Sequence, residues 1–374
     1  MAKRVPLPVE VITEILLKLS VKTLLRCKCV CKSWLSLISD PHFAISHFQL
    51  AASPRLLFIA RLGSETLSID FHACLDDDSA SSQQPDFLCP RSYPEIRGSC
   101  RGFLFLDFYR DFYIWNPSTR VHKRIHLSPL TIASHSYFNA NNRTFSLLHG
   151  LGYDVSTDDY MIVVGSYKYN YTNPSVYSSI DLEIFSLRAN EWEQIEFDSD
   201  LPYRNIASPQ GGRRVGSFLN GSIHWLVYNY ETKSNVIIAY DLKEMTLSEI
   251  ALPDDFNSGH SLRIYDLMVF GGLISVWIVK SSKIKIWVMQ EYAAHSSWTK
   301  TLDFSFYPAP GFSPVCFTNR GDIVGPVADG GLAKLNDKGQ LQEYHSYGGR
   351  CFMRSEMAVY TESLLSLPDD TGQA

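Results

Sequence analysis

The sequence predicts a small all-α head followed by an all-β domain, a β-propeller of kelch-like blades, with a β-sandwich as the alternative. Three observations carry this. Residues 7–38 set leucine, isoleucine and valine at helical spacing among lysines and arginines. After Leu50, short runs of alternating apolar and polar residues are broken by Gly, Asn and Asp turns. One strand–turn–strand pattern then recurs along the chain. The boundaries that follow are 1–48 for the head, 49–367 for the β-domain and 368–374 for a flexible tail.

The head reads as three short helices. Leu7-Pro8 with Glu10 marks a helix start, with proline in the first turn and an acid at the positive end of the helix dipole. Ile12, Ile15, Leu16 and Leu19 fall at i, i+3, i+4 and i+7, one apolar stripe. Ser20 is the N-cap of a second helix carrying Leu24 and Leu25. Val30, Trp34, Leu37 and Ile38 form the stripe of a third. Asp40-Pro41 ends it and caps one further turn, from which Phe43 and Phe48 pack back. A domain of about 40 residues buries too little surface to stand comfortably alone. Its apolar residues outnumber what three short helices hide, so a partner is expected to cover the rest. Packing on the chain's own β-domain is the competing reading.

The series Leu7-Pro8-x-Glu10, Leu16-x-x-Leu19, Leu24-Leu25-Arg26 and Val30-Cys31-Lys32-x-Trp34 resembles an F-box. That three-helix motif docks on a Skp1-type adaptor and, through it, on a cullin. The resemblance implies that Leu7, Pro8, Leu16, Leu19, Leu24, Leu25, Val30 and Trp34 include the adaptor-binding residues together with positions of the motif's own core. Cys27, Cys29 and Cys31 invite a metal reading, but the i, i+2, i+4 spacing spreads their sulfurs over different helix faces. No second ligand cluster completes a tetrahedral site. No metal and no cofactor are expected.

Charge divides the chain in the same place. Residues 1–40 hold seven Lys/Arg against three acids, +4, so the remainder carries −9 of the net −5. A basic head on an acidic body suits an acidic partner; the plainer reading is a set of solvated helix faces. This composition does not point to nucleic acid, and no run of ~18–20 apolar residues suggests a membrane span. The first ten residues lack a signal-peptide apolar region, and the eight cysteines form no C-x-x-C pair. The expected setting is the cytoplasm and/or nucleus.

The β-domain echoes one hairpin at 58–71, 114–125, 184–195, 239–250, 287–302 and 333–344. A four-strand unit repeating every 40–50 residues or so is the signature of a propeller. Each hairpin is expected to be the outer pair of a blade. Residues 216–255 display a whole blade: Phe218-Leu219, the turn Asn220-Gly221, Ile223–Leu226, Val236–Tyr240 and Leu247–Ile250. Asn-Gly is the preferred two-residue hairpin turn because both positions tolerate positive φ. Six such units fill the domain, and 356–367 is expected to pair with the first and seal the ring.

Cys100-Arg101-Gly102-Phe103-Leu104, Trp115-Asn116-Pro117-Ser118-Thr119-Arg120 and Gly152-Tyr153-Asp154 with Asp159-Tyr160 resemble the F-box-associated domain of plant F-box proteins. So do Asn220-Gly221-x-x-His224-Trp225 and Tyr240-Asp241-Leu242. The Asn116–Thr119 stretch reads as turn chemistry, side chain to backbone two residues on. His224 reads as a structural histidine on an alternating strand.

No G-x-S-x-G, H-E-x-x-H, Walker A or complete G-x-G-x-x-G is present, and no enzyme is expected. Recognition is assigned to two long loops: Tyr167, Tyr169 and Tyr171 in 165–179, and Arg213 and Arg214 in 200–214, residue types enriched at protein–protein hot spots. Plain solvent loops are the competing reading. The resemblance implies a substrate-recognition subunit of an SCF-type (Skp1-cullin-F-box) E3 ubiquitin ligase, binding the adaptor with its head and a target protein with its β-domain. A binding module that uses the F-box outside ubiquitination is the alternative.

Overall fold

The computed structural model describes residues 7–51, 53–59, 66–76, 78, 80–82, 94–108, 111–129, 131–132, 148–167, 180–197, 201–205, 215–253, 256, 264–280, 283–305, 311–327, 331–346 and 356–368. The head comprises α1 (Val9–Leu17), α2 (Val21–Cys27), α3 (Lys32–Ile38) and α4 (Pro41–Ala51). Four helices thus stand where three and a turn were expected. Asp40 accounts for the difference: its Oδ1 accepts from the backbone N–H of His42 and Phe43 at 2.8 and 3.2 Å. With Pro41 pre-set for the first helical position, this cap starts an 11-residue helix rather than a last turn. Ser20 caps α2 as expected, accepting from Thr23 N–H.

The remaining strands form six antiparallel sheets in chain order. Blade one joins β1 (Pro54–Ile59), β2 (Thr66–Ile69) and β3 (Ala80–Ser82) to β25 (Glu356–Thr361). Blade two is β4 (Glu95–Cys100), β5 (Phe103–Asp107), β6 (Phe112–Trp115) and β7 (His122–Ile125). Blade three is β8 (Leu148–Asp154), β9 (Asp159–Tyr167), β10 (Ile180–Ser186) and β11 (Glu191–Ile195). Blade four holds β12 (Tyr203–Asn205), β13 (Ser217–Leu219), β14 (Ser222–Asn229), β15 (Ser234–Asp241) and β16 (Thr246–Ala251). Blade five is β17 (Ile264–Phe270), β18 (Leu273–Lys280), β19 (Lys283–Met289) and β20 (Trp298–Ser305). Blade six is β21 (Cys316–Phe317), β22 (Ile323–Pro326), β23 (Leu332–Leu335) and β24 (Leu341–His345).

These blades form a ring, not a sandwich. Every neighbouring pair shares an apolar cluster, including the sixth with the first, where Val324 and Leu332 pack with Leu56, Phe58 and Ile69. β25 pairs antiparallel with β1, Leu56 opposite Val359, so the last strand completes the first blade. That is the predicted closure. The addition comes on the inner side of β1, which makes 58–71 the middle pair of its blade; the other five hairpins are outer pairs, as predicted. The Asn220-Gly221 turn has φ of 51° and 80°, positive at both positions.

Blade four departs from the pattern. β14 is flanked on its inner side by two short strands, β12 opposite Val227–Asn229 and β13 opposite Ser222–His224. Tyr203–Asn205, expected in a loop, is therefore strand.

Antiparallel blades bring the turn after a blade's first strand and the turn after its third to one end of the ring. The second-to-third connections and the links between blades lie at the other end. The head sits on the first of these ends. Leu16, Val21, Leu24, Ile38, Phe43 and Ala44 share a buried cluster with Cys100 and Phe103 of blade two, Leu151 of blade three, and Leu364, Leu365 and Leu367 beyond β25. Arg101, in the turn after β4, lies over the Phe48 ring of α4 at 5.6 Å. The head packs on its own propeller with one face and leaves another open.

Candidate adaptor-docking face

Leu16 and Leu24 are 1% and 0% exposed, which places them in the interior between head and propeller. Each fully buried leucine stabilises by roughly 1.5–3 kcal/mol. Of the set that the resemblance implies, which includes core positions, these two are core. Leu19, Leu25 and Trp34 are half-buried against the same cluster. The Leu19 carbonyl is 2.8 Å from Nε2 of the buried His47, which ties α4 to the end of α1.

Leu7 and Val30 are 60% and 62% exposed, and Pro8 is exposed too. Val30 is expected in the apolar stripe of the third helix. It instead precedes that helix, whose N-cap is Cys31, and projects into solvent. Ile15, expected in one stripe with Ile12, Leu16 and Leu19, is half exposed. α1 is apolar on two sides: Ile12 and Leu16 point in, while Val11 and Ile15, four residues apart, share an outer stripe, and Leu7 is exposed just ahead of the helix. Leu35 of α3 adds a further exposed side chain. Periodicity had signalled an apolar helix but not that two faces were apolar. The missed signal was the apolar residue at nearly every position from 7 to 19 outside Glu10, Thr13, Glu14 and Lys18.

An exposed apolar surface on a basic body is suited to burial against a partner. Lys18, Lys22, Arg26 and Lys32 are exposed around it, and partial burial lowers the Lys28 ammonium below its ordinary pKa. Among the described residues no group of His, Cys, Asp and Glu could hold a metal ion.

The five residues assigned to target recognition lie differently. Tyr167 ends β9, opposite Ile180, at the end of the ring away from the head. Tyr169, Tyr171, Arg213 and Arg214 lie outside the described residues. The chain leaves β12 at Asn205 and is next described at Val215, paired with His149 at the start of β8. The strand ends at Tyr167 and Ile180 face away from the head, whereas Asn205 is the headward end of β12 and lies opposite Val227, within β14.

Residues 6–46 match the F-box domain, and residues 61–321 match the F-box associated beta propeller domain. The chain belongs to the F-box proteins with an F-box-associated propeller. An F-box/kelch-repeat protein of Arabidopsis thaliana is 27% identical over 358 residues, covering 92% of this chain and 89% of the relative. A second Arabidopsis F-box protein is 30% identical over 323 residues, covering 84% of each. A third is 28% identical over 316 residues, 79% of this chain and 72% of its own. This F-box protein therefore has the two-part organisation of a substrate adaptor, and its F-box implies a Skp1-type partner.

Proposed function

We propose that this F-box protein is the substrate-recognition subunit of an SCF-type E3 ubiquitin ligase. Its head docks on the Skp1-type adaptor, and through it on a cullin, with Leu7, Pro8 and Val30 at the contact. Leu19, Leu25 and Trp34 sit at its margin, and Val11, Ile15 and Leu35 extend it. The observation that carries the reading is the outer apolar face of α1 and Val30, left open while the opposite face of the head is seated on the propeller. The protein contributes no bond chemistry. It brings target lysines to a charged enzyme and raises their effective concentration.

The target protein binds at the end of the ring away from the head, through the segments carrying Tyr167, Tyr169, Tyr171, Arg213 and Arg214. Support comes from the Tyr167 and Ile180 strand ends at that end of the ring and from the residue types the segments hold. The place of action is the cytoplasm and/or nucleus, a reading supported by the cysteine pattern.

Co-purification with a Skp1-type adaptor tests the docking half. The wild type is expected to capture it and the Leu7→Ala, Pro8→Ala double variant to lose capture, while both unfold at similar denaturant concentration. Equal capture by both would sink the assignment of the face, and no capture by either would sink the ligase reading. For the far end, both loops are exchanged for Gly/Ser linkers and captured targets compared; unchanged capture rules that site out.

A further inference from the structure

Two motifs that adaptor docking does not use meet beneath the head. They are Cys100-Arg101-Gly102-Phe103, at the turn after the first strand of blade two, and Trp115-Asn116-Pro117-Ser118-Thr119, at the turn after its third. Both converge on the short segment that follows β25.

Asn116 is fully buried. Its Oδ1 accepts from the N–H groups of Ser118 and Thr119, which makes the turn that the sequence predicts. Its Nδ2 does something further, donating to the carbonyls of Ser363 and Leu365 at 3.1 and 3.3 Å. Ser118 Oγ accepts from the Ser363 N–H at 3.2 Å, and Ser363 Oγ accepts from the Leu365 N–H at 2.9 Å. Gly102, at φ 88°, supplies the room: a methyl group there would lie 2.2 Å from Ser363 Cβ. Arg101 stacks on Tyr153 at 3.8 Å and faces Phe48 of α4. The segment thus fixed delivers Leu364, Leu365 and Leu367 to the cluster shared with α1–α4. The Glu362 N–H meets the Ser53 carbonyl at 3.0 Å, where the head joins β1.

We infer that residues 362–368 are a positioning segment that fixes the head's orientation on the propeller, with Asn116 the positioning residue that holds it. The purpose rests on the proposed ligase role; the geometry does not. β25 runs without a break into this segment, so the strand that closes the ring also seats the head. Seating is therefore conditional on closure. Only a closed propeller holds its adaptor-docking face at a set angle to its far end, which is what a fixed transfer distance needs.

Asn116→Asp in the full chain tests this. The carboxylate still accepts from Ser118 and Thr119 but cannot donate to Ser363 and Leu365. Hydrogen exchange in 362–368 and α4 is expected to quicken about tenfold, with the strands of blades three to five unchanged. Proteolysis at 51–53 should quicken to a similar degree, and small-angle scattering should show a longer maximum dimension. Adaptor capture should persist, because Leu7, Pro8 and Val30 are untouched. Unchanged exchange and cleavage, with the blades still protected, would overturn the inference. Should the variant lose protection in blade two as well, Leu364→Ala with Leu367→Ala takes over the same readouts and decides. If the head loosens but no adaptor binds even the wild type, the ligase reading fails and the positioning role stands.

Discussion

His224 is buried on β14 with both ring nitrogens engaged, Nδ1 3.1 Å from the Ser217 carbonyl and Nε2 2.8 Å from the Tyr292 hydroxyl. A carbonyl only accepts, so Nδ1 carries the proton and Nε2 of the neutral ring accepts from Tyr292. The ring joins blade four to the turn between β19 and β20 of blade five. Its neighbour Trp225 donates from Nε1 to the His149 carbonyl at 2.8 Å and joins blade four to blade three. The His-Trp pair is therefore a two-way stitch, not a catalytic base. His224→Phe should cost about 1–3 kcal/mol, because it removes the ring's bonds to the Ser217 carbonyl and the Tyr292 hydroxyl. Burial lowers the His224 pKa below its ordinary 6.5. Over the window from 6.5 down to the folded pKa, the unfolded chain binds more protons, so stability falls with falling pH. The variant should lack that part of the slope in urea-unfolding midpoints between pH 7 and 5. A slope identical to the wild type would refute the assignment.

At the scale of elements, the segment after β25 also explains Glu362. Burial raises its carboxyl pKa above the ordinary 4.5, and the Arg55 guanidinium 3.9 Å away only partly offsets this. Above 4.5 the native state holds the proton more tightly than the unfolded chain, so the stability conferred at low pH is lost as pH rises through the folded pKa. Glu362→Gln should therefore raise the unfolding midpoint at pH 7 and leave it nearly unchanged at pH 4; a lower midpoint at pH 7 would contradict this. Arg55 keeps its bonds to the Ser68 Oγ and carbonyl in that variant. None of this was legible in the sequence. The Asn220-Gly221 turn was, because a positive-φ requirement is local. So was the Ser20 cap, whose partner lies three residues away. The Asn116 amide instead meets carbonyls 247 and 249 positions along the chain, and no spacing rule reaches that far. The docking face stood between these cases. Its leucines and valines were visible, but periodicity cannot say whether Ile15 or Leu16 turns inward until the helix meets what covers it.

At the scale of the molecule, six repeats told of a ring because each hairpin carries its own turn chemistry and alternation, and β25 was identifiable as the strand left over. The ring's seam has a second fastening that the sequence hid as one more strand lysine. Lys334, on β23 of blade six, is almost wholly buried. Its Nζ donates to the Ala73 carbonyl of blade one at 2.7 Å and to Glu343 Oε2 on β24 at 3.1 Å. The same Glu343 oxygen accepts from the Leu75 N–H at 2.7 Å. One ion pair thus clamps the 73–75 turn of the first blade to the outer hairpin of the last. Removing one partner of a fully buried pair costs roughly 3–5 kcal/mol. Glu343 is about one-third exposed and keeps Leu75, so Lys334→Met should cost less, about 2 kcal/mol. The loss should be uneven. If the latch holds the seam, exchange protection falls first in β1, β2, β22 and β23, while blades three and four, on the far side of the ring, keep theirs. A uniform loss of protection around the ring would mean that the propeller unfolds as one unit and β25 alone carries the seam.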